Sequence, residues 1–172
     1  WTDTPEITAL KDSLAATEKE KGKDSPDVTT LLMQIADNYE QIGGYVLAAS
    51  YAERMVSISE HAAEPNIFQT ILALAFLGTV YRNQGDTAAA SSTSSRALLL
   101  AKQEFGRTKL PYGLCMIGVA EIHLMKNNKR EAKEALDSAL ALVNDYLWRA
   151  DHNWTAVNRR IGILHLGLGN YG

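Results

Sequence analysis

Shifted by 42 residues, the sequence falls into register with itself, and no insertion is needed anywhere. Tyr39, Tyr81, His123 and His165 form one column, and Ile35, Leu77, Val119 and Ile161 another. The next position is always small: Ala36, Gly78, Ala120, Gly162. Four residues past the Tyr/His column stand Gly43, Gly85, Asn127 and Gly169. Ala48, Ala90 and Ala132 follow, then Met55, Ala97 and Ala139; Leu14, Val56, Leu98 and Leu140 reach back into the N-terminal segment. A period of this length marks supersecondary units that stack on one another, because one unit cannot bury its own apolar face.

Within each unit the apolar spacing is helical. Leu32, Ile35, Ala36, Tyr39 and Ile42 follow i, i+3, i+4, i+7, and Ala48, Ala52, Met55 and Val56 do the same, with Ser59 as a polar end. The Gly/Asn column lies between the two runs, where a helix ends in a left-handed residue. Each unit therefore reads as helix, tight turn, helix. Ser25-Pro26-Asp27 and Asp3-Thr4-Pro5-Glu6 read as N-caps followed by proline at the first helical position, and Asn128 to Glu131 as a capping-box-like start. The pattern predicts helices over about 5–21, 26–42, 45–62, 66–84, 87–104, 110–126, 129–148 and 153–168, and no strand.

The chain closes on GLGNYG, 167–172, which matches G-x-G-x-x-G. A dinucleotide loop follows a strand and opens a helix that receives the phosphate. Here a predicted helix precedes the motif, and the segment fills the slot of QIGGYV at 41–46 and NQGDTA at 83–88. Gly169 is then the turn glycine of the repeat and Tyr171 the match of Tyr45, so no nucleotide site is expected.

Composition narrows the function classes. The 172 residues carry 17 basic and 20 acidic side chains, a formal net charge of -3, which gives no electrostatic reason to expect nucleic acid. The longest apolar run, 71–81, is shorter than the ~18–20 residues that span a bilayer, so no membrane insertion is expected. Cys115 is the single cysteine, which excludes an intrachain disulfide and a cysteine-based zinc site. The first residue is Trp1 and no signal-peptide pattern follows it, so the chain reads as a processed protein or a piece of a longer one, with a cytoplasmic location favoured.

The columns Leu32…Ile35-Ala36…Tyr39…Gly43…Tyr45…Ala48…Met55, recurring at +42, resemble the tetratricopeptide repeat in the 42-residue form typical of kinesin light chains. GKDSPDV at 22–28 resembles that subfamily's inter-repeat segment, with Ser25 where histidine is usual. Thr87 and Lys129 stand where the motif has Tyr, and Asn127 where it has Gly. The resemblance implies an all-α fold, a right-handed superhelix of antiparallel helix pairs (a tetratricopeptide-like α-solenoid), over one domain, 1–172. Its parts would be 1–24 as the second helix of a preceding repeat, repeats at 25–65, 66–107 and 108–150, and the first helix and turn of a further repeat at 151–172. The small column would let the first helix of each pair approach its partner closely.

Few residues suggest chemistry. His123 and His165 sit one repeat apart, about 10 Å by the spacing of packed helices, and lack a third ligand. They read as core histidines, hydrogen-bonded in place of tyrosine hydroxyls, rather than as a metal site. Glu60, His61 and Glu64 fall at a helix end before Pro65 and read as a solvated terminus. Cys115 shares its column with Leu31, Ala73 and Val157 and reads as a small buried apolar residue. AAASSTSSRALLLA at 88–101 keeps the helical phase of its columns; a linker or phosphorylated segment is the alternative. No Ser-His-Asp constellation or strained nucleophile elbow is present, so neither catalytic residue, metal nor cofactor is expected.

The resemblance assigns partner binding to a concave face made by the first helix of each pair. Carried over by column, this face is Thr30, Met33, Gln34, Asp37 and Glu40; then Leu72, Ala75, Phe76, Thr79 and Arg82; then Leu114, Ile117, Gly118, Glu121 and Leu124; then Ala156, Arg159, Arg160 and Ile163. Leu72, Phe76, Leu114, Ile117 and Leu124 are apolar where exposure is expected, the mark of a binding surface unless neighbouring helices cover them. The carboxylate clamp of chaperone-tail binders is replaced by Met33, Asp37, Phe76, Leu114 and Gly118, and the Asn ladder of kinesin light chains is missing. The expectation is a protein–protein interaction scaffold that takes an apolar or helical segment of a partner. The alternative is a regulatory or sensor module of a larger enzyme or transcriptional regulator. Head-to-tail self-association is also expected: the first helix, with Leu10 and Leu14, would pack on the last, whose Trp154, Ile163, Leu164 and Leu166 spread over more than one face.

Overall fold

The structure, a computed structural model, describes residues 2–62, 65–144 and 152–169, with only the backbone of 152–156. Glu64, Tyr171 and the side chains of Trp154 and Ala156 therefore lie outside the described residues. Those described form eight helices and no strand: α1 Pro5–Lys21, α2 Asp27–Gln41, α3 Tyr45–His61, α4 Ile67–Gln84, α5 Thr87–Phe105, α6 Leu110–Met125, α7 Lys129–Val143 and α8 His152–Leu168. The fold is all-α, and the boundaries follow the repeat closely.

The turn column behaves as its residue types require. Gly43, Gly85 and Gly169 have φ of 77°, 87° and 78°, and Asn127 reaches 59°, the one positive-φ residue other than glycine among those described. After Gly85 the chain closes back on its helix, with Gly85 N–H donating to Arg82 O and Asp86 N–H to Tyr81 O, each at 3.0 Å. The same pair recurs at Asn127 and Asn128, donating to Leu124 O and His123 O at 3.0 and 2.9 Å. Carbonyls that a helix end leaves without partners are satisfied in this way.

The N-caps are more varied. Thr4 accepts from Ile7 N–H at 3.2 Å ahead of Pro5, and Asn66 from Gln69 N–H at 3.2 Å. Ser25 Oγ accepts from Asp27 N–H at 3.3 Å, but Pro26 rather than Ser25 occupies the N-cap position of α2. The capping box expected at Asn128 does not form: its side chain makes no cap bond, and Glu131 pairs instead with Arg130 at 3.0 Å.

Packing divides the chain into two compact units, residues 1–90 and 91–172. In the first, α1 packs on α2, α2 on α3 and α3 on α4. Ile7, Val28, Leu32, Ile35, Tyr39, Ile71 and Leu74 are among its fully buried side chains. In the second, α6 packs on α7, and both pack on α8, around Ile117, Leu136, Val143, Ile161 and Leu164.

Ala36, Gly78 and Ala120 of the small column are buried. Gly162 differs: it is exposed, with no described atom within 4 Å of where a Cβ would lie. A tighter approach occurs at Gly113, outside that column, where a Cβ would stand 2.8 Å from Leu142 Cβ and 3.1 Å from Val143 Cγ1.

Candidate functional site

In the first unit the expected binding residues border a cleft. Thr29 and Met33 of α2, Met55 and Ser59 of α3, and Gln69 and Leu72 of α4 wall a space of about 160 Å³. Met33 and Leu72 stand at its mouth, 41% and 40% exposed. Two polar side chains, Ser59 and Thr29, are among the residues that line it. Ser59 stands in the column of Ala101 and Val143, and Thr29 in that of Ile71 and Gly113. The Ser59 hydroxyl donates to Val56 O at 2.9 Å, and its carbonyl accepts from Thr70 Oγ1 at 3.2 Å, so the polar groups of the floor are satisfied.

Along the same face Asp37, Glu40, Phe76, Thr79 and Arg82 are half-buried. Asp37 accepts from Gln41 Nε2 at 2.8 Å, on its own helix. Glu40 accepts from Asn83 Nδ2 of α4, which ties the two first-type helices together. Thr79 Oγ1 donates to Ala75 O at 3.1 Å and is thereby turned along its own helix.

In the second unit the corresponding face is closed. Ile117, in the column of Met33, is fully buried at the centre of the core and offers nothing to a partner. The sequence expectation of exposure fails there because Val143 and α8 complete a layer that polar Ser59 leaves open in the first unit. Leu114 and Leu124 are half-buried and packed against the same core. Leu124 lies over Gly167 so closely that a Cβ on the glycine would come within 2.4 Å of its Cδ2.

Glu121 is 4% exposed and is held by Arg160, whose Nε and Nη2 donate to its two carboxylate oxygens at 2.8 and 2.6 Å. The two candidates therefore clasp α6 to α8. Beside them, a Cβ at Gly118 would lie 3.5 Å from Ser94 Oγ and 3.7 Å from Arg160 Nη2. Arg159 is exposed, and Ile163 and Leu166 are 48% and 60% exposed.

The Tyr/His column has mixed support. The Tyr39 hydroxyl donates to the Asp3 carboxylate, which Lys11 Nζ also reaches at 2.7 Å, and the Tyr39 ring stacks on Tyr51 with centroids 5.8 Å apart. The hydrogen bonds from Lys11 and Tyr39 hold the Asp3 carboxyl below its ordinary value. Tyr81 donates to Glu53 at 2.5 Å, and burial together with that carboxylate pushes its phenol up to about 12. His123 departs from the expectation: its Nδ1 is buried with no hydrogen-bond partner among the described residues, and Ser95 stands in the column of Lys11 and Glu53.

Cys115 is buried, and that burial pushes its thiol up to about 12, so it is held as the unreactive thiol. Among the described residues no three of His, Cys, Asp and Glu are grouped to hold a metal ion. Nor is any helix among them long and apolar enough to cross a membrane.

The sequence reading missed the cleft's floor, Met55 and Ser59, because attention to first helices alone leaves out the α3 residues beneath them. The signal was present in the column of Ser59, which is polar where Ala101 and Val143 are apolar.

Residues 69–145 match the family model described as tetratricopeptide repeat. The crystal structure of BtubC (BKLC) from P. vanneervenii superposes with a TM-score of 0.67 at 14% identity, covering 95% of this chain and 65% of that one. This chain thus spans just under two thirds of that protein's length. Among curated proteins no sequence matches. Tetratricopeptide repeats are generally protein-interaction scaffolds. Residues 69–145 are thus similar in sequence to tetratricopeptide repeats, and the 42-residue columns, with helix pairs turned at a left-handed Gly or Asn, run through that segment and beyond it.

Proposed function

We propose that this protein is a non-catalytic scaffold that binds an apolar or helical segment of a partner protein, and that the α2–α4 face is where it does so. The observation that carries this reading is the cleft between Met33 and Leu72. Two exposed apolar side chains flank an open, mostly apolar space, on the face that tetratricopeptide helices use for partners. Of the expected concave residues, Met33, Asp37, Glu40, Leu72, Phe76, Thr79 and Arg82 remain in this proposal. Arg159, and Ile163 beside it, would form a second, smaller surface on α8.

Met33→Glu and Leu72→Glu place charge at the mouth without disturbing a buried position. Both variants are expected to lose capture of the partner by the full chain while circular dichroism stays unchanged. Val46→Glu, at an α3 position 70% exposed, serves as the control and retains capture. Capture that survives both charge substitutions overturns the reading. A regulatory module of a larger enzyme or transcriptional regulator would use the same face and show the same losses.

Head-to-tail self-association is a separate reading, favoured by the exposed Ile163 and Leu166 on α8. Leu14, assigned to that contact from the sequence, is buried within its own unit, and Glu6, Asp12, Ser13, Lys19 and Glu20 make much of the exposed surface of α1 polar. Light scattering across a concentration series, with Leu166→Glu as the comparison, decides it. A mass that stays monomeric throughout removes the idea.

A further inference from the structure

We propose that the α2–α4 groove selects a helical partner segment carrying a bulky apolar residue and a cation one turn apart. The apolar side chain enters the cleft between Met33 and Leu72, and the cation meets Asp37. This deepens the reading of the groove as a binding face and rests on it.

The apolar half follows from size. A space of about 160 Å³ is comparable to the ~150 Å³ apolar cavity that holds a benzene ring, so it has room for one large side chain. The charged half follows from the repeat itself. Asp37 and Glu121 share a column, as do Phe76 and Arg160 one position set further along. In the second unit the carboxylate of Glu121 is met by Arg160 in a two-pronged ion pair. In the first unit the position of the arginine holds Phe76. Asp37 accepts one hydrogen bond from Gln41 and makes no ion pair among the described residues.

No basic residue occurs in α2, and Arg82 is the one basic residue of α4, in its last turn. A carboxylate at a position where the fold elsewhere places a carboxylate–guanidinium pair, beside an apolar cleft, is complementary to an incoming Lys or Arg. Met33 and Asp37 are four residues apart, about 6 Å along the helix, which matches an i, i+4 pair on a helical ligand.

The test uses the full chain and three fluorescent Ala-rich helical peptides, each with Leu at one position and Arg, Ala or Glu four residues on. Anisotropy titration should rank them Arg, Ala, Glu, with about tenfold or more between the Arg and Glu versions, since attraction is exchanged for repulsion. Asp37→Asn should collapse that preference. Phe76→Arg, which copies the second unit's ion pair into the first, should likewise collapse the preference between the Arg and Glu versions. Substituting Leu in the peptide by Ser should abolish binding. Peptides that bind with no charge preference, or a preference that survives Asp37→Asn, overturn the inference and leave the broader reading of the face standing. No binding by any peptide also overturns it, while the capture experiment with Met33→Glu and Leu72→Glu decides the broader reading separately.

Discussion

The pair α2–α4 and the pair α6–α8 are built on the same columns and end up doing opposite things. In the second unit Ile117 is buried, Val143 closes the layer beneath it, and Glu121 is clasped by Arg160. In the first, Met33 stands at the mouth of a cleft floored by Ser59, and Asp37 has no guanidinium. A shared backbone register therefore leaves the interface between first-type helices undetermined. Two or three side chains per repeat decide whether the interface is spent on internal packing or left to a partner.

The largest test of this contrast is Arg160→Leu. Taking away the guanidinium from a carboxylate that is 4% exposed is expected to cost about 3 kcal/mol in chemical denaturation, because the buried charge loses its main compensation. Glu121→Leu combined with Arg160→Leu should recover most of that loss. Asp37→Leu, the corresponding change in the first unit, is expected within about 0.5 kcal/mol of the parent. An equal loss at both sites would mean that Asp37 also has a structural counter-charge.

A second test, of intermediate size, sets two glycines against each other. Gly113→Ala drives a methyl into Leu142 Cβ at 2.8 Å, near the α7 backbone where little yields, and is expected to cost about 1–3 kcal/mol. Gly162→Ala meets no described atom within 4 Å and is expected to gain about 0.5–1 kcal/mol from helix propensity. A loss at Gly162 in thermal melts would show that its face is covered in solution, which would sharpen the self-association question.

The smallest effect is a pH dependence confined to the first unit. Asp3 has its carboxyl lowered by Lys11 and Tyr39, so its contribution is present above the ordinary value of 3.8 and is lost as pH falls through the lower native value. Asp3→Asn should therefore melt below the parent at neutral pH, with the gap closing only in strong acid, below about pH 4. A gap that closes already near pH 6 would point to a different group.

Most of the fold was legible in the chain alone, and for a definite reason. A 42-residue period with helical spacing specifies local partners, and a helix pair contacts chiefly its neighbours, so short-range pattern is nearly the whole problem. The turn column is the clearest case. Gly43, Gly85, Asn127 and Gly169 were read as turn residues, and all four adopt positive φ, a backbone requirement that residue type expresses directly. The buried Ala48, Ala90 and Ala132 follow in the same way from residue size and phase.

What the tertiary structure alone decided is which first-helix positions are surface. Column membership assigned Ile117 and Glu121 to the face together with Met33 and Asp37, since the same helical phase puts them there. Their fates diverge because of residues far away in the chain: Val143 against Ser59 beneath them, and Arg160 against Phe76 beside them. Burial depends on the summed volume and charge of three helices meeting at one point. Where Tyr81 finds Glu53 as its acceptor, the histidine's repeat has Ser95, and the buried Nδ1 of His123 has no hydrogen-bond partner among the described residues. Periodicity in a sequence reports which direction a side chain points; only the packed structure reports whether anything is there to meet it.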